Sequence, residues 1–304
     1  MKSLNEKQIS EFITALKRKE IPLKLEYLGL GARRYLDFSK IGMYKTEAIL
    51  IKNNSLSIAS LIKDVNIVYT GCGNGYKIVP LVQALLENKK KINIFLLDIS
   101  TYMLNAAKRN LSGIFKRGVN IKAHLLDFES GNFASLTRMF RRSTGKNNLL
   151  VLIGNTLGNL SERKRILTNF RESMTLSDYL ILGLHLRSQT IVDRIKAFST
   201  KTVFDFVETR LNEIAKGSYS TKIYWNQNTK NIEFRVIFKR NIEIDYKGER
   251  LKFKKGCSLL INTVHLFSLR EIYSLIRNSG FKVRRKFTDK NEEEIVLLCQ
   301  PVSL

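Results

Sequence analysis

"VYTGCGNGYK", residues 68–77, is a β-branched and aromatic run that breaks into three glycines within five positions. Residues 65–70 predict a strand, and Ile78, Leu81, Val82 and Leu85 recur at helical spacing just beyond the glycines. A glycine turn between strand and helix lets the backbone approach a ligand with no Cβ in the way. A bare tight turn needs the same residues, so the neighbouring segments have to decide. "INIFLLDIS" (92–100) predicts a second strand ending in Asp98, at the distance where a carboxylate can accept both hydroxyls of a ribose. "VNIKAHLLDF" (119–128) ends a third in Asp127-Phe128, an acid and an aromatic suited to an adenine amine and ring.

The same alternation runs on through "NNLLVLIGN" (147–155), the helix "SERKRILTNFRESM" (161–174) and the strand "DYLILGLHL" (178–186). Strands alternating with helices predict an α/β fold with a Rossmann-like core, a doubly wound and mostly parallel sheet. A dinucleotide fingerprint would put its third glycine at position 76, which is Tyr76. GxGxG with acids at the ends of strands two and three favours S-adenosylmethionine (SAM) over NAD.

Flanking segments complete the organisation. Residues 1–20 read as an amphipathic helix with Ile9, Phe12, Ile13 and Leu16 on one face. Residues 190–216 read as helical, and 220–256 alternate at period two as an antiparallel meander with a turn at "NQNTKN". "SLREIYSLIRNSG" (268–280) is a helix opened by Ser268 and Glu271 and stopped at Gly280, and two strands, 281–287 and 293–300, close the chain. The expected domains are therefore an N-terminal helical segment (1–45), a SAM-binding core (46–189 plus 266–304) and an inserted α+β substrate domain (190–265).

Composition excludes several classes. Cys72, Cys257 and Cys299 form no CxxC pair, and His124, His185 and His265 have no metal-ligand spacing, so no metal site is expected. The longest apolar runs fall well short of the ~20 residues that span a bilayer. A soluble, cytoplasmic protein without a membrane partner is expected. The net charge of +25, from 52 Lys+Arg against 27 Asp+Glu, would suit a nucleic-acid partner. The basic residues are scattered over separate segments without a nucleic-acid-binding signature, so a small-molecule substrate is preferred.

The chain resembles the SAM-dependent histidine Nα-methyltransferases of ergothioneine biosynthesis. The likeness is carried by "YKTEAIL" (44–50), "TGCGNGYK" (70–77), "LLDIS" (96–100), "LLDF" (125–128), "IGNTLGNL" (153–160), "LGLHL" (182–186), "YWN" (224–226) and "FTD" (287–289). It implies SAM contacts at Gly71, Gly73, Lys77, Asp98, Asp127 and Phe128. It implies that Asn159 holds the amino and carboxylate groups of an amino-acid substrate, with Tyr27 and Tyr44 near the same pocket. In other positions the chain departs from the family. The glutamate and serine that grip the imidazole align with Asn262 and Val264. A carboxylate-binding tyrosine aligns with Phe198, a pocket methionine with Phe234, and an aspartate after the last core strand with His185.

Together these readings predict an N-methyltransferase acting on the amino group of an amino acid or related small amine other than histidine. Two alternatives stand beside it: methyl transfer to RNA or protein through the basic surface, and a catalytically idle SAM-binding protein.

Overall fold

The computed structural model describes residues 4–40, 45–116, 118–188 and 191–303. The chain forms two compact units, Met1–Ile41 with Gln189–Leu266 and Gly42–Ser188 with Phe267–Leu304. The sequence set residues 1–45 apart as a separate helical segment; in the structure residues 1–41 cluster with residues 189–266.

In the first unit α1 (Glu6–Arg18) starts at a capping box, where Asn5 Oδ1 accepts from Gln8 N (2.9 Å) and Gln8 Oε1 from Asn5 N (3.0 Å). Those reciprocal bonds satisfy two backbone donors that a helix start leaves open. A single turn at Leu23–Tyr27 leads into α2 (Gly29–Phe38).

The second unit then runs α3 (Lys45–Ala59), β1 (Val65–Thr70), α4 (Val79–Glu87), β2 (Ile92–Asp98), α5 (Thr101–Ile114) and β3 (Asn120–Leu125). It continues through α6 (Ala134–Thr144), β4 (Asn147–Leu152), α7 (Arg163–Glu172) and β5 (Tyr179–His185). The chain returns to the first unit for α8 (Ile191–Phe198), α9 (Lys201–Val207), α10 (Thr209–Ala215), β6 (Tyr219–Asn226), β7 (Asn231–Phe238), β8 (Ile242–Tyr246), β9 (Glu249–Phe253) and β10 (Ser258–His265). It ends in the second with α11 (Leu269–Asn278), β11 (Phe281–Thr288) and β12 (Glu294–Pro301).

The second unit is built on a seven-stranded sheet of order β11-β12-β5-β4-β1-β2-β3. β3, β2, β1, β4 and β5 are parallel, and β12 pairs antiparallel with β5. Ile67, Val151 and Ile181 face one helical layer through Leu81, Leu85 and Leu104. Val68, Leu150 and Leu182 face the other through Phe140, Phe170 and Ile272. Burial on both faces is why the central strands read as unbroken apolar runs. Each such side chain contributes about 1.5–3 kcal/mol on leaving water.

The first unit holds a three-stranded antiparallel sheet, β10-β7-β6, and a separate two-stranded ribbon, β8-β9. The period-two alternation over 220–256 predicts one continuous meander, and the structure breaks it after β7. β10 occupies the free edge of β7, in register from Ser258↔Ile237 to His265↔Asn231, so β8 and β9 pair only with each other. Beneath the helices of this unit Glu26 is buried. Its Oε2 accepts from Arg210 N (3.0 Å), while the Arg210 guanidinium donates to Leu25 O (3.0 Å), Leu28 O and Glu213 Oε1 (2.6 Å). Burial pushes the Glu26 carboxyl up to about 8, against the pull of Arg210.

Candidate active site

β1 is flanked by β4 and β2, and the chain runs outward from it in both directions. Such a reversal of strand order opens a crevice at the carboxyl ends of the strands, where α/β sheets bind ligands. Each polar group at that end can therefore be asked whether it is already committed to the fold.

The glycine turn lies first in the chain. Gly71, Gly73 and Gly75 all take positive φ (60°, 52° and 80°), which L side chains adopt at a cost. Gly71 N donates to Leu97 O (2.8 Å), stitching the turn to β2. A Cβ built on Gly71 would sit in ordinary van der Waals contact with Phe128 and Thr156 (3.8 Å), so it is the positive φ rather than a clash that calls for glycine there.

Asp98 closes β2. Its Oδ2 accepts from Gly73 N (3.3 Å) and its Oδ1 from Ser100 N (2.9 Å). Burial pushes its carboxyl up to about 6, although the Ser100 and Gly73 amides pull the other way. The Cys72 thiol beside it is pushed up by burial and by the Asp98 charge. Asp127 has a different setting. Its Oδ1 accepts from Glu129 N (3.0 Å) and its Oδ2 from Ser130 Oγ (2.6 Å), so it also caps its own turn. Phe128 is buried edge-on against Phe170 (ring centroids 6.2 Å).

Lys77 is drawn into a cluster not foreseen from the sequence. Its Nζ lies 2.6 Å from Glu47 Oε2, and Glu47 Oε1 accepts from Gly154 N (2.7 Å). A Cβ on Gly183 of β5 would fall 1.9 Å from Glu47 Oε1, so a glycine is required for the buried carboxylate to lie against the sheet. Glu47 belongs to the "YKTEAIL" stretch, which was legible as a motif but not as a ligand of the fold.

The two asparagines of "GNTLGN" separate cleanly. Asn155, in the left-handed region at φ 53°, is buried, and its Oδ1 accepts from His185 N (3.0 Å). A Cβ at Gly158 would lie 2.4 Å from its amide, so Asn155 and Gly158 pack as one structural turn. Asn159 closes that turn, and its N donates to Asn155 O (3.2 Å). Its Oδ1 is buried and accepts no hydrogen bond from any described residue. An amide oxygen so placed is a ready acceptor for an amine N–H. Arg163 steadies the turn, donating from Nη2 to Gly158 O (3.3 Å) with its guanidinium 5.7 Å from the Phe267 ring centroid.

His185, the last residue of β5, lies with its Nδ1 2.6 Å from Glu294 Oε1 on β12. Nothing in the sequence singled out this pair, since the partners lie on strands far apart in the chain.

In the first unit three of the expected substrate residues, Phe234, Asn262 and Val264, share one sheet face, and a fourth, Phe198 of α8, packs on it. Phe198 and Phe234 pack edge to face (5.5 Å, 70°). Asn262 stands directly opposite Phe234 across the β7–β10 ladder, just after a bulge, and Val264 stands opposite Ile232. Asn262 is buried, and its Oδ1 has no protein partner among the described residues. Tyr27 lies in the same unit, its ring against Tyr35 (4.9 Å) and Phe206 (5.3 Å). Tyr44 lies outside the described residues.

A seven-stranded sheet with one reversed strand, a glycine turn and acids on its first strands defines a SAM-dependent methyltransferase with a Rossmann-like core. More narrowly, the chain belongs to the histidine-specific, SAM-dependent methyltransferase family, whose model matches residues 6–301. No curated protein matches it by sequence. Among solved structures it is similar to the magnesium protoporphyrin IX methyltransferase of Synechocystis PCC 6803 with bound SAH. The identity is 11% over 90% of this chain and 96% of that one, with a TM-score of 0.49. A glycopeptide N-methyltransferase complexed with SAM matches at 11% identity over 83% of this chain and 87% of that one, with a TM-score of 0.42. No helix among the described residues is long and apolar enough to cross a membrane.

Proposed function

We propose that this methyltransferase acts on the amino group of an amino acid or related small amine other than histidine. The observation that carries the reading is the unsatisfied Asn159 Oδ1 at the end of β4, beside an Asn155 already committed to the fold. SAM supplies the methyl group on a sulfonium and departs as a thioether. Asp98 accepts the ribose hydroxyls, Gly71 and Gly73 let the backbone approach the nucleoside, Asp127 and Phe128 meet the adenine, and Lys77 completes the cofactor set. Asn159 accepts an N–H of the incoming amine and so aims its lone pair along the line of displacement. Positioning of this kind supplies several kcal/mol of the barrier reduction.

The first unit is, on this reading, the substrate domain. Its Phe198–Phe234–Val264 face is apolar where a site for imidazole needs charged and hydroxyl partners. An amine with an aliphatic or aromatic side chain suits it better than histidine, the substrate in the family's description. A screen of amino acids, other amines and RNA with SAM, reading S-adenosylhomocysteine release, tests this. Turnover of histidine at a rate matching any other amine would overturn the exclusion of histidine. Silence across every acceptor, with SAM bound, would favour an idle SAM-binding protein.

A further inference from the structure

We infer that His185, held by Glu294, accepts the proton that the substrate's ammonium group must lose before methyl transfer. The inference rests on the amine reading above and adds a catalytic residue to it. An α-amino group arrives largely protonated at neutral pH, and an ammonium has no lone pair to attack with. Asn159 can orient the nitrogen but cannot take a proton from it.

The geometry of β5 supplies an acceptor. His185 is the carboxyl-terminal residue of that strand, and its backbone N donates to Asn155 Oδ1 in the turn that carries Asn159. Side chains alternate along a strand, so His185 shares a face with Gly183, against which Glu47 and Lys77 pack. The His185 backbone therefore lies about 7 Å beyond Gly183 toward the carboxyl end of the strand. The His185 side chain is 16% exposed and that of Glu294 6%, so the carboxylate is sealed while the ring keeps an open edge.

Glu294 Oε1 lies 2.6 Å from Nδ1 at angles outside a hydrogen bond, so the carboxylate's charge rather than a formed bond favours a proton on that nitrogen and leaves Nε2 as the acceptor. The other charged groups about the pair are Glu47 and Lys77, Arg187 after β5, and Asp289 and Glu293 in the turn between β11 and β12. Asp289 Oδ1 accepts from Glu293 N (2.8 Å) and Glu294 N (2.7 Å), which fixes the backbone that presents Glu294.

The step balances. An ammonium N–H bond breaks, its proton moves to Nε2, and the electron pair stays on nitrogen. That pair forms the new N–C bond while the C–S pair leaves with sulfur. The imidazolium then passes its proton to water through the exposed edge, one proton for each methyl transferred.

The test uses the full chain with SAM and a panel of histidine, phenylalanine, tryptophan and leucine. His185→Gln should lower kcat about a hundredfold at pH 7. SAM affinity by calorimetry should change less than about twofold, and the deficit should shrink above about pH 9, where the amine deprotonates unaided. A folded His185→Gln protein with the wild-type kcat and pH profile would overturn the inference. A wild-type protein that binds SAM but methylates none of the panel would instead overturn the amine reading, and this inference with it.

Discussion

The carboxyl end of the seven-stranded sheet and the Phe234 face of the three-stranded sheet handle polar groups in different ways. At the first, Asp98, Asp127, Glu47 and Asn155 are each held by backbone or side-chain donors, and the free acceptor on Asn159 is set among them. At the second, Phe198, Phe234 and Val264 are apolar, and Asn262 alone offers a buried, unmatched amide oxygen. Leaving such a group unpaired costs ~1–3 kcal/mol, so each region carries one acceptor that a suitable partner would complete. The difference is one of surroundings: a polar, hydrogen-bonded setting in the first region and an apolar one in the second.

The largest effect should come from breaking the first region at its base. Gly183→Ala puts a Cβ 1.9 Å from Glu47 Oε1 and must expel that carboxylate from Lys77 and Gly154. Opening a buried ion pair in this way should cost about 3–5 kcal/mol, read from the urea midpoint. A midpoint unchanged from wild type would show that the cluster is not what seats α3 on the sheet.

Next in size is the cofactor itself. Asp98→Ala should weaken SAM binding by about 1.5–3 kcal/mol in calorimetry. The raised Asp98 carboxyl gives the effect a pH signature. Above about 6 it is ionised and accepts fully, and as pH falls through that value it protonates and SAM affinity should drop. Asp98→Asn should flatten that limb, and an equally steep profile in the variant would assign the titration to another group.

The second region predicts a gain. Asn262→Glu with Val264→Ser restores an acid and a hydroxyl on the Phe234 face, and histidine turnover should rise about tenfold or more. No rise at all, in a folded protein, would break the link between this face and the substrate's side chain.

The smallest effect concerns neither region. If the +25 charge is dispersed rather than organised, RNA binding should be weak and essentially gone at ~0.2 M salt. Sequence-selective nanomolar binding at that salt would move the substrate class toward RNA.

By itself the sequence determined the parallel sheet, the glycine turn, the acids at the strand ends and the family. Those features are local: period, turn chemistry and motif order are written within a few residues of one another. It did not show that the 220–256 alternation divides, because the free edge of β7 is taken by β10 from further along the chain. The resemblance singled out Asn159, but local pattern gives no physical reason to part it from Asn155, an identical residue four positions earlier. Only packing against Gly158 and His185 commits Asn155 to structure and leaves the Asn159 oxygen unmatched. Glu47 with Gly154 and His185 with Glu294 were illegible for the same reason, since each pair lies more than 100 residues apart and is assembled by strand order alone. Contact between residues remote in sequence is decided by which strands become neighbours, and that is a property of the folded sheet.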